Sequence, residues 1–168
     1  EINAQTQEGL NKSFEDLAQA LAQTEEDRKE LNLIQENKSA ELKRQKIIQF
    51  VKNHLNQQSN WFLMYDNVEN FVDIQSYFPQ DFMTWGKGKI IITTRNENIQ
   101  NNKHVQHLIS VAALTPKEKL DLFSRIMKTN GVSKFPSLAS AETKKFLENI
   151  PPFPLDVSIA ADYLRMTH

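Results

Sequence analysis

From Glu41 onward, Ile47, Ile48, Val51 and Leu55 recur at helical spacing, while Lys43, Arg44, Lys46 and Lys52 mostly occupy the other side. Apolar residues repeating every three or four positions commit one face of a helix to a core. Polar residues 56–60 then form a connection of ordinary helix-to-strand length. Trp61 to Tyr65 follows as an unbroken bulky run, WFLMY, with no alternation. Such a run predicts a central strand of a parallel sheet with neither face open to water. A second run, Lys89 to Thr94, is β-branched throughout after its lysine, and Gly86 and Gly88 mark the turn into it. A third, weaker strand is available over Leu108–Val111.

Upstream, residues 1–5 read as the tail of a strand. Asn11 or Ser13 is a candidate cap for a helix whose face is Phe14, Leu17, Ala18 and Leu21. Residues 24–40 are strongly polar, with Leu31, Leu33 and Ile34 as the only anchors, and predict either a short surface helix or a loose excursion. At Thr115 the pattern changes. Thr115-Pro116-Lys117-Glu118 combines an N-cap, a proline at the first helical position and a glutamate three residues after the cap, ahead of Leu120, Phe123, Ile126 and Met127. A helix over 140–149 follows, then one beyond Pro151-Pro152-Phe153-Pro154, whose expected apolar row is Leu155, Ile159 and Tyr163, with Ala160 and Leu164 adjoining. The economical division is an α/β part over 1–112 and a helical subdomain over 113–168.

Composition narrows the function classes. The 20 Lys and Arg against 21 Asp and Glu leave a formal charge of -1, with no basic stripe, which argues against a surface built for nucleic-acid phosphates. There is no cysteine, hence no disulfide, zinc-thiolate site or thiol nucleophile; this suits a reducing, cytoplasmic setting. No run approaches the roughly 18 apolar residues of a spanning helix, so no membrane role is expected. His54, His104, His107 and His168 lack metal-ligand spacing, and the acids Glu25, Glu26 and Asp27 sit in a charged surface segment.

Sites in parallel α/β sheets lie beyond the carboxyl ends of the strands. Asp66 directly follows the most apolar run, and Thr93, Thr94 and Arg95 end the next. Asp66 reads either as an acid presented to a ligand or metal, or as an acid capping the following turn. Asn67 completes a common turn-forming pair. Arg95 is either a phosphate-binding fork or a surface partner of Glu69 or Glu97. Thr93 and Thr94 are hydroxyl donors or plain strand residues. The Pro151–Pro154 run is a helix start, or a rigid apolar surface for a flat ligand. Phe82 and Trp85 are core or rim residues, or surfaces on which a base stacks. The four glycines, at 9, 86, 88 and 131, cannot form the phosphate cradle G-x-x-x-x-G-K-[ST].

Together the ordered motifs resemble the nucleotide-binding module of STAND-class P-loop NTPases, the NB-ARC-type signalling ATPases that often carry tetratricopeptide repeats behind them. WFLMYDNVEN resembles their Walker B strand, and KIIITTRN the strand ending in a phosphate-sensing arginine. SVAALTPKEKLDLFSRIM resembles the passage into the small helical part, and IPPFPLDVSIAADYL the glycine-leucine-proline-leucine motif. EINAQTQEGLNKSFEDLAQAL is similar to the strand and helix after the P-loop helix. The resemblance implies a parallel sheet of P-loop NTPase type, N-terminally truncated, followed by the start of an ARC-like helical region. It implies Mg²⁺ at Asp66, terminal-phosphate sensing at Arg95 with Thr94 beside it, and adenine contact at Pro154 with Leu155. It also implies ATP or ADP as ligand, protein partners, nucleotide-dependent self-association and a C-terminal repeat domain.

Two substitutions depart from the pattern. Asn67 replaces a frequent second acid and cannot act as a general base, which implies slow hydrolysis or a reset function. Pro152 replaces the motif's opening glycine. The family's P-loop strand would precede Glu1 and lie between the strand ending at Asp66 and the strand ending near Thr94. On this reading the 168 residues alone bind ATP weakly or not at all. The alternatives are a catalytically inactive interaction module retaining the fold, and an AAA+-like remodelling ATPase, for which no trans-acting arginine is identifiable.

Overall fold

The computed structural model describes residues 1–128 and 140–167, so Gly131 and His168 lie outside the described residues. These form two compact units, Glu1–Leu108 and Ile109–His168. The architecture is α/β, with a parallel sheet and several helices, as the apolar runs predict.

In the first unit, strand β1 (Ile2–Asn3) leads to helix α1 (Gln7–Leu21), and helices α2 (Glu25–Gln35) and α3 (Ala40–Gln57) follow. Strand β2 (Trp61–Asp66), two single-turn helices α4 (Phe71–Ile74) and α5 (Phe82–Trp85), and strand β3 (Gly88–Ile92) complete the frame. The true cap of α1 is Thr6, whose hydroxyl accepts the Gly9 N–H, so the expectation of Asn11 or Ser13 is corrected. Both are used elsewhere: Asn11 accepts the Tyr77 hydroxyl, and Ser13 accepts the Asn3 N–H at 3.0 Å. The polar 24–40 region holds a true helix, α2, begun by a capping box in which Thr24 and Asp27 satisfy each other's N–H groups. Its anchors are Leu31 and Ile34, while Leu33 is exposed.

Strand order is β1-β2-β3, all parallel, with Tyr65 beside both Ile2 and Ile92. β2 therefore hydrogen-bonds directly to β3. The interval expected there for a further strand is closed in this structure. Leu63 and Tyr65 are buried, together with Ile47, Phe50, Val51 and Leu55 of α3 and Leu10, Phe14 and Ala18 of α1. The opposite face is open: Phe62 is 57% and Ile91 50% exposed, which corrects the expectation that both faces of β2 are covered. Strand side chains alternate, and only one of the two sets meets the helical core.

Two glycines set the entry to β3. Gly86 adopts φ +74°, and a side chain there would meet the Leu55 carbonyl oxygen at 2.7 Å. At Gly88 a Cβ would lie 2.0 Å from the Trp61 ring. Trp61 is held in place by its Nε1–H donating to the Trp85 carbonyl at 2.9 Å. Of the two aromatic candidates near this turn, Trp85 is core and Phe82 is exposed. The weak third strand is not formed: residues 108–111 are irregular, with Ile109 and Val111 almost fully exposed. Extended segments acquire strand character only by pairing their backbone groups, and 108–111 joins no ladder.

The second unit contains helices α6 (Pro116–Lys128), α7 (Ala141–Glu148) and α8 (Pro154–Thr167). The capping box of α6 forms as its sequence predicts: Thr115 N–H donates to the Glu118 carboxylate at 2.8 Å, and Glu118 N–H to the Thr115 hydroxyl. The Thr115 hydroxyl, which donates to the same carboxylate at 2.7 Å, and then the Thr115 N–H hold the Glu118 carboxyl below its ordinary value. The core comprises Phe123, Met127, Leu147, Val157 and Ala161. The buried row of α8 is thus Val157 and Ala161, with Leu164 partly covered. Leu155, Ile159 and Tyr163, expected inside, are exposed.

Candidate functional site

The carboxyl ends of β2 and β3 meet at Asp66 and Thr93. Asp66 closes β2, and its carbonyl accepts the Ala4 N–H at 2.8 Å, which ties it to the chain leaving β1. Its carboxylate faces the other way. The Thr93 hydroxyl donates to Asp66 Oδ1 at 2.5 Å and accepts the Asn67 N–H at 2.8 Å. Thr93 also donates its N–H to the Tyr65 carbonyl and accepts the Val68 N–H, both at 2.9 Å. One residue therefore locks both strand ends through four bonds.

Asn67 takes φ +59°, a left-handed conformation that asparagine tolerates better than most residues. That backbone turns the chain so that Asn67 N–H points at Thr93 and the following Val68 is buried. Asn67 thus has a conformational role in the turn, and its N–H is committed.

Arg95 lies on the loop after β3 and donates to Glu69 at 3.2 Å, with both side chains largely exposed. This is the surface pairing named as one of its two readings. Asn96 reinforces the same junction, its side-chain amide donating to the Glu69 carbonyl at 2.8 Å. Thr94 turns inward to the loop, its hydroxyl accepting the Asn96 N–H at 2.9 Å. The structure therefore brings Asp66, Asn67 and Thr93 into one hydrogen-bonded group and joins Arg95 to Glu69 in the adjoining loops.

Thr93 rather than Thr94 reaches Asp66. The signal was present in the strand alternation, because Lys89, Ile91 and Thr93 share a face with Phe62, Met64 and Asp66 under the observed register. Glu69 was one of the two acids expected beside Arg95, whereas Asn96 carried no signal beyond its polarity.

Magnesium prefers hard oxygen ligands and commonly uses one or two carboxylates completed by water and substrate phosphates. Asp66, with one oxygen held by Thr93, fits the part of a single protein carboxylate. Among the described residues no group of three or more His, Asp or Glu side chains converges to form a protein cage. Within the helical unit, Pro154 is the first residue of α8 and Leu155 beside it is 70% exposed. No helix among the described residues is long and apolar enough to cross a membrane.

Among known families, the model described as the NB-ARC domain matches residues 3–133, a stretch that begins in β1 and extends past α6. Pro154 and Leu155 fall outside that stretch. No curated protein matches the chain.

Proposed function

The chain belongs to the NB-ARC domain family of nucleotide-binding signalling NTPases, and from that premise we propose that it forms part of an ATP/ADP-dependent signalling switch. The observation that supports this most directly is the placement of Asp66 at the carboxyl end of a parallel strand, its carboxylate oriented by Thr93. In this reading Asp66 holds Mg²⁺, which would neutralise phosphate charge when bound. Thr93 fixes the carboxylate's rotamer. Arg95 exchanges Glu69 for the terminal phosphate, a swap its exposure permits. Thr94 supports the Arg95 loop. Pro154 and Leu155 offer an apolar surface to adenine. The phosphate-binding loop is supplied from outside these 168 residues.

The Asn67 backbone N–H orients the turn, and its side-chain amide, unlike a carboxylate, is too weak a base to take a proton from water. Hydrolysis is accordingly slow and serves to reset the switch, with ADP favouring a closed state and ATP an open, assembling one. The setting is cytoplasmic, and the partners are proteins, including further copies of the chain and a C-terminal repeat domain.

A second reading is an interaction module that keeps the fold without activity. It is favoured by one observation: Asp66 and Arg95 already have partners within the first unit. Calorimetric titration of Mg·ATP and Mg·ADP into the protein carrying its native upstream sequence separates the two. The switch reading expects saturable, Mg²⁺-dependent binding that weakens at least tenfold in Asp66→Ala. Absence of binding in the unsubstituted protein leaves only the interaction module.

A further inference from the structure

Pro151, Pro152 and Pro154 have no backbone N–H, so the segment between α7 and α8 is poor in donors with which to fix itself. It is fixed through its carbonyls instead. Leu114, the residue before the N-cap of α6, donates its N–H to the Pro152 carbonyl at 2.8 Å. In the first turn of α6, Lys119 donates from its ammonium to the Ile150 carbonyl. The two donors thus grip the chain on either side of Pro151. Their own positions are set by the Thr115–Glu118 capping box and by the Lys119 N–H, which donates to the Thr115 carbonyl at 2.9 Å.

Lys119 is an unusual residue for this place. It is only 8% exposed, and among the described residues no carboxylate lies within ion-pairing distance of it. Burying an ammonium without a counter-ion is costly, and an apolar side chain of similar length would fill the space without that cost. What the ammonium adds is the bond to Ile150, just past the end of α7, where the helix's partial negative charge also favours a cation.

We propose that Lys119 is a positioning residue for base recognition: through Ile150 and the prolines it sets where Pro154 and Leu155 meet an adenine ring. This rests on the reading of Pro154 and Leu155 as the adenine contact. Both are exposed at the start of α8, whose first turn is closed by the Val157 N–H donating to the Phe153 carbonyl at 3.2 Å. Each proline holds φ near about −65°, so a displacement at Ile150 is passed along the segment rather than absorbed within it. A contact surface held ready in this way loses less freedom when a ligand arrives. Lys119 itself is buried and its ammonium is committed to Ile150, so it acts through the segment and touches no nucleotide.

Calorimetric titration of the protein carrying its native upstream sequence tests this, with Mg·ATP compared against Mg·tripolyphosphate, which lacks base and ribose. Lys119→Met keeps the length of the stem and removes the donor. It is expected to weaken Mg·ATP roughly two- to tenfold, the lower range of coupling within one hydrogen-bonded network, and to leave Mg·tripolyphosphate unchanged. Equal weakening of both ligands marks a purely structural role for Lys119 and overturns the proposal. In the unsubstituted protein the Leu114 amide should exchange more slowly with Mg·ATP bound than with Mg·tripolyphosphate, a readout that needs no variant to fold; exchange indifferent to the base overturns the proposal too. Leu155→Ala, at an exposed position, separates the role of Lys119 from the adenine reading beneath it. Selective loss of Mg·ATP in Leu155→Ala but not in Lys119→Met overturns the positioning role alone. Unchanged Mg·ATP affinity in Leu155→Ala removes the adenine contact itself, and the role of Lys119 falls with it.

Discussion

Gly88→Ala should destabilise the α/β unit even though β3 is an edge strand that tolerates most side chains. An added Cβ would sit 2.0, 2.1 and 2.4 Å from Cδ2, Cε3 and Cε2 of Trp61. Ordinary carbon contacts begin near 3.5 Å, so the indole must retreat by roughly 1.5 Å or the strand must bend. Retreat stretches the 2.9 Å bond from Trp61 Nε1 to the Trp85 carbonyl. Overpacking costs about 1–3 kcal/mol, and loss of a neutral hydrogen bond adds about 0.5–1.5 kcal/mol. Against this, alanine recovers roughly 0.5–1 kcal/mol of the entropy that glycine loses in a strand. The expected net cost is about 0.5–4 kcal/mol. Both tryptophans of the chain, Trp61 and Trp85, lie in the first unit, so fluorescence-detected urea unfolding reports this unit alone. With a urea m-value of about 1–3 kcal/mol/M, the midpoint should fall by roughly 1 M. In a Trp61→Val background the same Gly88→Ala change should cost nothing or stabilise. A Gly88→Ala protein as stable as the parent, or an undiminished cost in the Trp61→Val background, refutes the close-approach explanation of Gly88.

Thr93→Val keeps the strand's shape but removes one donor to Asp66 and one acceptor from Asn67. It should cost about 1–2 kcal/mol, the low end for a charge-assisted bond because the group is exposed, with Thr93→Ser recovering most of it in the same fluorescence assay. The Thr24–Asp27 capping box gives the chain an acid-sensitive helix start. The Thr24 N–H and hydroxyl, with a smaller contribution from His54, hold the Asp27 carboxyl down at about 2. A depressed carboxylate contributes its stability above its unfolded value, near 4, and loses it as pH falls toward about 2. Helical circular dichroism should decline across that window, and Asp27→Asn should flatten the decline.

Legibility divides along local and non-local lines. The α6 capping box could be read because all its atoms come from four consecutive residues, Thr115 to Glu118. The faces of α3 and α6 could be read because only one apolar row was available on each. In α8 two rows compete at helical spacing: Leu155, Ile159 and Tyr163 against Val157, Ala161 and Leu164. The smaller residues, Val157 and Ala161, form the buried row, while the bulky row faces outward. Residue size pointed to the wrong face because burial depends on which neighbours approach, and a helix's own sequence does not record that. The same holds for β2. WFLMY looks two-sided, yet only the Trp61, Leu63 and Tyr65 side packs on the helical core, and Phe62 is exposed. At the site, Asp66 was legible from its position after an apolar strand. The choice of Thr93 over Thr94 required the register between strands 27 residues apart in sequence.

That register makes Asp66 the point where the two functional readings part. One carboxylate oxygen accepts the Thr93 hydroxyl, which leaves the other to Mg²⁺ in the proposed switch, and a carboxylate already held in one rotamer loses less freedom on binding a cation than a mobile one. In the protein carrying its native upstream sequence, Thr93→Val should therefore weaken Mg²⁺-dependent nucleotide binding several-fold in calorimetric titration, with Thr93→Ser restoring it. Equal Mg²⁺ dependence in all three proteins would show that Thr93 orients Asp66 for the fold alone.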